Sequence, residues 1–100
     1  DLTAAGRPVF VEFTAAWCVT CQVNERLVLK TDDVRAAFRR ATVALVRADW
    51  TRRDPAITRA LVALGRDGVP VYVLYRPSRP PLLLPEVLQQ RTVIDALGTL

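Results

Sequence analysis

The chain has 100 residues, 51% of them apolar and 24% charged, the size and composition of one globular domain with a single modest core. It contains no apolar run of about 18 residues or more, so nothing in it reads as a membrane-spanning helix, and no signal peptide is visible. The net charge of +4 comes from arginines scattered along the chain, with short pairs at Arg39-Arg40 and Arg52-Arg53 and one lysine, Lys30. That is the pattern of solvated faces, and no nucleic-acid partner is expected.

Asp1 to Gly6 reads as the tail of a helix whose start is missing. Because the chain begins with Asp1 rather than Met, it is expected to be a processed product or a domain excised from a larger protein. After Arg7-Pro8, Val9 to Thr14 is nearly all apolar, as a central strand covered on both faces should be, with Glu12 the exception. Ala15-Ala16-Trp17 carries the chain to Cys18, and the spacing predicts a helix from about Val19 to Leu29. On that helix Cys18, Cys21, Glu25 and Val28 share one face.

Thr31-Asp32-Asp33 is a helix start, a hydroxyl cap with acids in the first turn, and Val34, Ala37, Phe38 and Ala41 make its inward stripe. Thr42 to Asp49 reads as a second strand. Asp54-Pro55 opens another helix, with Ile57, Ala60, Leu61 and Leu64 on one face and Gly65 as its stop. Arg66-Asp67-Gly68 turns the chain into a third strand, Val71 to Tyr75. Beyond the turn at Arg76 to Pro81 come a short fourth strand, Leu82 to Leu84, and a last helix carrying Val93, Ile94, Leu97 and Leu100. The order β-α-α-β-α-β-β-α first alternates strand and helix, then closes with a hairpin. It predicts a thioredoxin-like three-layer α/β/α sandwich around a mixed, mostly parallel sheet of about four strands.

The chemistry is concentrated at Trp17-Cys18-Val19-Thr20-Cys21, which holds the only two cysteines. A strand that ends in Cys-x-x-Cys at a helix start suits redox work, because the unpaired N–H groups and partial positive charge of the first turn favour a thiolate. Cys18 is expected to be the exposed nucleophile and Cys21, one turn further in, the buried resolving partner. A four-ligand zinc site would need two more Cys or His, and the chain has no other Cys and no His. A c-type haem site would need His where Gln22 stands. A static disulfide and a Cu(I)-binding loop stay open, although a loop this small constrains the unfolded chain little and the chain has no Met.

The chain resembles the thioredoxins in its strand, its Trp-Cys-x-x-Cys at a helix start and its Val-Pro before the third strand. It is more closely similar to the C-terminal domain of the DsbD family of thiol:disulfide interchange proteins. The residues that carry this are Phe13 to Glu25, Ala48-Asp49-Trp50-Thr51 with Asp54-Pro55, Gly68-Val69-Pro70, and Leu84-Pro85-Glu86-Val87-Leu88. Cytoplasmic thioredoxins usually carry Gly-Pro between the cysteines, and Val19-Thr20 here departs from them towards DsbD.

The resemblance implies one thioredoxin-like domain over residues 1–100, excised from a larger membrane protein and lying on the periplasmic side of a bacterial inner membrane. It implies a protein-disulfide reductase without cofactor or metal. The electron donor would be the membrane-embedded domain of the same protein. The acceptors would be its N-terminal domain or other periplasmic disulfide proteins, and the domain would act as a monomer. Rival readings are a free-standing thioredoxin-like reductase, a Cu(I)-binding or structural module, and an oxidase or isomerase, since fold alone does not set the direction of electron flow.

Exchange runs through thiolates, so a base must take the proton of Cys21. Glu25, one turn away on the same face, and Glu12, which aligns with the buried acid of thioredoxins, are the candidates. The opposing readings are an exposed helix residue for Glu25 and a strand residue reaching solvent near the sheet edge for Glu12. The resemblance makes Val69-Pro70 a cis peptide bond that presents the Val69 backbone to an incoming strand. Trp17 is read as a lid and docking surface beside the disulfide, with plain packing as the alternative. Trp50 is either near the site or core filler. Tyr72 and Tyr75 belong to the sheet, and Thr14 and Asn24 match the family pattern without an assigned role.

Overall fold

The apolar run after Pro8 becomes the centre of the sheet. In the computed structural model, which describes residues 6–100, Val9–Thr14 is strand β1. It pairs in parallel with β2 (Ala44–Asp49) and antiparallel with β3 (Val71–Tyr75), and β3 pairs antiparallel with the two-residue β4 (Leu82–Leu83). The order across the sheet is β2-β1-β3-β4. Having a neighbour on each side and helices on both faces, β1 and β3 need apolar side chains at nearly every position. The helix tail expected at the N-terminus falls, for residues 1–5, outside the described residues.

Alternation along the strands divides the core in two. Phe10, Tyr72 and Leu74 face α1 (Val19–Asn24) with its π-helical continuation Glu25–Leu29, α2 (Asp32–Ala41) and α4 (Gln90–Leu97). There Phe10 meets Phe38 edge-on at 5.2 Å, and Val28, Leu29, Val34, Val93 and Leu97 fill the space around them. Phe13, Val71 and Val73 face the other way, where α3 (Pro55–Ala63) lays Leu61, Ile57 and Ala60 over them beside Trp50. This is the three-layer sandwich that the element order implies.

The sheet is mixed with the balance reversed from the expectation: β1–β2 is its parallel pair, and both pairings of β3 are antiparallel. The nine residues of α3 advance the chain by only roughly 13 Å. The stretch 64–70 can span up to about 23 Å if extended, so it brings the chain back to the end of the sheet that β2 left. Gly65 makes this return possible. At φ 76° it occupies the left-handed C′ position of a Schellman motif, with Gly65 N–H donating to the Val62 carbonyl and Arg66 N–H to the Leu61 carbonyl, both at 2.9 Å.

Smaller differences have local causes. The second strand starts at Ala44 rather than Thr42, because Thr42 itself adopts the left-handed conformation, φ 56°, to close α2. The Thr31 hydroxyl donates back to the Val28 carbonyl at 2.6 Å instead of capping α2. Asp54 does cap α3, its Oδ1 accepting from Ala56 N–H at 2.8 Å, with Pro55 in the first turn. Helix α4 ends at Leu97, and Leu100 lies beyond it, exposed. Among the described residues no helix is long and apolar enough to cross a membrane.

Candidate active site

Helix α1 begins where the apolar strand β1 has ended and the chain has turned through Ala15-Ala16-Trp17. Cys18 is its N-cap, with extended backbone at φ −92° and ψ 105°, and its Sγ accepts a hydrogen bond from Cys21 N–H at 3.1 Å. The two cysteines form a disulfide with a Cα–Cα separation of 5.2 Å. Both are largely covered, Cys18 keeping 7% of its surface and Cys21 2%, so Cys18 is not the exposed sulfur that the sequence leads one to expect. The cover comes from Ala15 and from Val69, which packs against the pair. The Val69–Pro70 peptide bond is cis.

On the inner side of Cys21 lies a group of three charges. Glu12, in the middle of β1 and only 3% exposed, is far from a solvated edge position. Its register partner on β2 is Arg47, whose Nε donates to Glu12 Oε1 at 3.1 Å while Nη2 donates to Glu25 Oε1 at 2.9 Å. One guanidinium therefore holds both candidate acids. Burial pushes the Glu12 carboxyl up to about 7. The negative charge of Glu25 adds to the rise, and the hydrogen bond and charge of Arg47 oppose it. A cleft of about 250 Å³ runs from solvent to Cys21 and is lined in part by Thr14, Glu25, Arg47 and Asp49. Cys21 thus lines a cleft wide enough for several waters, with the Glu25 and Asp49 carboxyls on its wall.

On the outer side lies an aromatic group. Trp17, 49% exposed, donates its Nε1–H to the Thr51 carbonyl at 3.0 Å. Ala16 N–H donates to Thr51 Oγ1 at 2.8 Å, and Thr51 is in turn held by Asp49, whose Oδ1 accepts from Thr51 N–H at 2.9 Å. The Thr51 hydroxyl, which also donates to Asp49 Oδ1, and the Thr51 N–H hold the Asp49 carboxyl below its usual range. Trp50 is both core and site. It is buried against the α3 side, its Nε1–H donates to Thr58 Oγ1 at 2.8 Å, and its ring centroid lies 6.0 Å from that of Trp17.

Asn24, at the end of α1, is fully buried and fully bonded. Its Nδ2 donates to Tyr72 Oη at 2.9 Å and to the Glu86 carbonyl at 2.8 Å, and its Oδ1 accepts from Leu88 N–H at 3.1 Å. It fastens the active-site helix to β3 and to the segment after β4. Burial around the same Tyr72 hydroxyl pushes it up to about 12. Sequence reasoning missed Arg47 and Thr51 as site residues. Arg47 had a signal, since it is the lone cation within the second strand, as Glu12 is the lone acid within the first. Thr51 stood in a stretch that carries the family resemblance, but its contacts belong to a turn and no pattern marked them.

A disulfide set at the start of the helix that leaves a central strand of a three-layer sandwich, with Val69 packed against it, is the arrangement of a thiol:disulfide oxidoreductase of the thioredoxin class. The thioredoxin-like family model matches residues 1–77, and the chain belongs to that family. Within it the chain is similar to the thiol:disulfide interchange protein DsbD of Ralstonia nicotianae, at 50% identity over 60 residues, 60% of this chain and 9% of that protein. DsbD 1 of Pseudomonas aeruginosa is 36% identical over 74 residues, 74% of this chain and 12% of that protein. The chain thus spans only about a tenth of the length of these relatives. The reduced C-terminal domain of Neisseria meningitidis DsbD shares the fold with a TM-score of 0.79, over 98% of this chain and 85% of that one, at 22% identity. Its oxidised form gives 0.78 over 93% and 79%.

Proposed function

We propose that this chain is the thioredoxin-like domain of a DsbD-type membrane protein and works on the periplasmic side of the inner membrane as a monomeric carrier of reducing equivalents. The membrane-embedded part of the same protein would reduce the Cys18–Cys21 disulfide. The dithiol would then pass two electrons to the protein's N-terminal domain or to other periplasmic disulfide proteins. The similarity to two DsbD proteins over most of the chain supports the relay. The observation that carries the chemistry is the open cleft to Cys21, walled by Glu25 and by the arginine that also holds Glu12.

The steps balance as follows. The Cys18 thiolate attacks one sulfur of the acceptor disulfide, forming a mixed disulfide and releasing the other acceptor sulfur as a thiolate, which takes up a proton. Cys21 loses its proton through the cleft to the Glu25 or Glu12 carboxylate, and its thiolate attacks Cys18 Sγ. The second acceptor sulfur then leaves and is protonated, so the acceptor has gained two electrons and two protons and the carrier is oxidised. A carboxyl poised near 7 serves this well, because it can take and return a proton at neutral pH. Trp17 and the Val69 backbone, next to Pro70, flank Cys18 and form the surface on which the acceptor docks.

Trapping tests these assignments. Cys21→Ala, reduced and mixed with a protein disulfide, is expected to accumulate a mixed disulfide through Cys18, visible by non-reducing gel and mass. Cys18→Ala is expected to form none. Equal trapping by both variants would overturn the division of roles between the sulfurs.

A further inference from the structure

Arg53 has two features that the exchange steps do not use. Its backbone stands at φ 53°, in the left-handed region where a Cβ is disfavoured and Gly or Asn is the easier occupant. Its guanidinium carbon lies over two indole rings, 5.0 Å from the centroid of Trp17 and 4.8 Å from that of Trp50. An arginine therefore occupies a backbone position that favours other residues, and its side chain bridges the exposed tryptophan beside Cys18 to the buried one.

The parts of this arrangement differ in freedom. Trp50 is a fixed wall, buried and bonded to Thr58. The turn that carries Arg53 is closed by Arg53 N–H donating to the Trp50 carbonyl at 2.9 Å. Trp17 has the greater freedom: half its surface is exposed, and among the described residues its ring makes one hydrogen bond, from Nε1–H to the Thr51 carbonyl. A cation stacked on its face removes that freedom. An aromatic side chain fixed before a partner arrives docks at lower entropic cost than one that must be ordered on contact.

On the reading that Cys18 exchanges with protein disulfides, we infer that Arg53 is a positioning residue that clamps Trp17 against Trp50, so that the ring is a preformed contact for protein disulfides beside Cys18. A small disulfide, which needs only the sulfurs, draws little from this contact. The opposing reading is an ordinary surface arginine whose side chain has merely come to rest on the rings.

The test compares Arg53→Asn and Arg53→Lys with the unchanged chain. Asparagine suits the left-handed backbone, so Arg53→Asn folds with an equal or higher thermal midpoint while losing the cation. Two rates are measured for each protein: insulin disulfide reduction supplied by dithiothreitol, and reaction of the reduced chain with 5,5′-dithiobis(2-nitrobenzoate). The ratio of the insulin rate to the small-disulfide rate should fall roughly fivefold in Arg53→Asn and recover in large part in Arg53→Lys, which keeps a cation over the rings. An unchanged ratio in Arg53→Asn, or a fall that lysine does not restore, overturns the clamp. If the unchanged chain reacts with neither probe, the exchange reading itself fails, a result distinct from either of these.

Discussion

The two flanks of the disulfide are built on the same plan from opposite materials. Inside, beside Cys21, one half-exposed arginine from β2 holds a buried carboxylate and a second one that lines the open cleft. Outside, beside Cys18, one arginine from the turn after β2 covers two indoles, one of them half exposed. On the proposed mechanism the first flank would move the proton of Cys21, and the second would offer contact area to a partner beside Cys18. The contrast teaches a division of labour: burial tunes acidity where charge must change, and preordered apolar surface serves where a protein must dock.

Asn24 fastens the helix that carries both cysteines to β3 and to the segment after β4, so its removal is the harshest way to break the comparison. Asn24→Ala leaves the Tyr72 hydroxyl, the Glu86 carbonyl and the Leu88 N–H without their partner, and a loss of about 3 kcal/mol is expected from chemical denaturation. A loss below about 0.5 kcal/mol would mean that water replaces the amide.

Glu12→Gln separates the flanks, since it touches the inner one alone. The carboxyl of Glu12 stands at about 7 in the folded chain against 4.5 for the free group, so the folded state binds the proton more tightly. Its contribution to stability is complete below about pH 4.5 and is lost as the pH rises through about 7, so the unchanged chain should weaken across that window. Glu12→Gln should remove that slope and be more stable at pH 8 by on the order of 2–3 kcal/mol, read from denaturation midpoints. The same variant should resolve mixed disulfides roughly tenfold more slowly near pH 7. A variant that keeps both the slope and the rate would show that Glu12 neither titrates in this window nor serves Cys21.

Thr42→Gly acts at the start of β2, away from both flanks, and has the smallest effect. Relieving a β-branched residue of a left-handed backbone should stabilise by roughly 0.5–1 kcal/mol. Exchange rates should not change. A change in rate would mean that the position of β2, which carries Arg47 and leads into the turn of Arg53, is itself adjustable.

Much of this was legible in the sequence because the signals are local. An apolar run broken only by Glu12 marked β1, Asp54-Pro55 marked the start of α3, and two cysteines one helical turn apart marked the redox centre. Glu12 stood out because an acid in such a run has to be explained. The direction of β3 was not legible, since it depends on how the chain between α3 and Val71 crosses the sheet rather than on any periodicity. The arginine that pairs Glu12 with Glu25 emerges only once β1 and β2 are set in register. The Asn24 bonds span more than 60 residues to reach Glu86 and Leu88, a separation over which sequence pattern says nothing.

The reduction potential of the Cys18–Cys21 pair, measured by equilibration against dithiothreitol and glutathione buffers with tryptophan fluorescence as the readout, tests the carrier reading most directly. A value between about −270 mV and roughly −200 mV is expected of a domain that hands electrons on to other disulfides. A value near about −120 mV would make the pair an oxidant and reverse the proposed direction of flow.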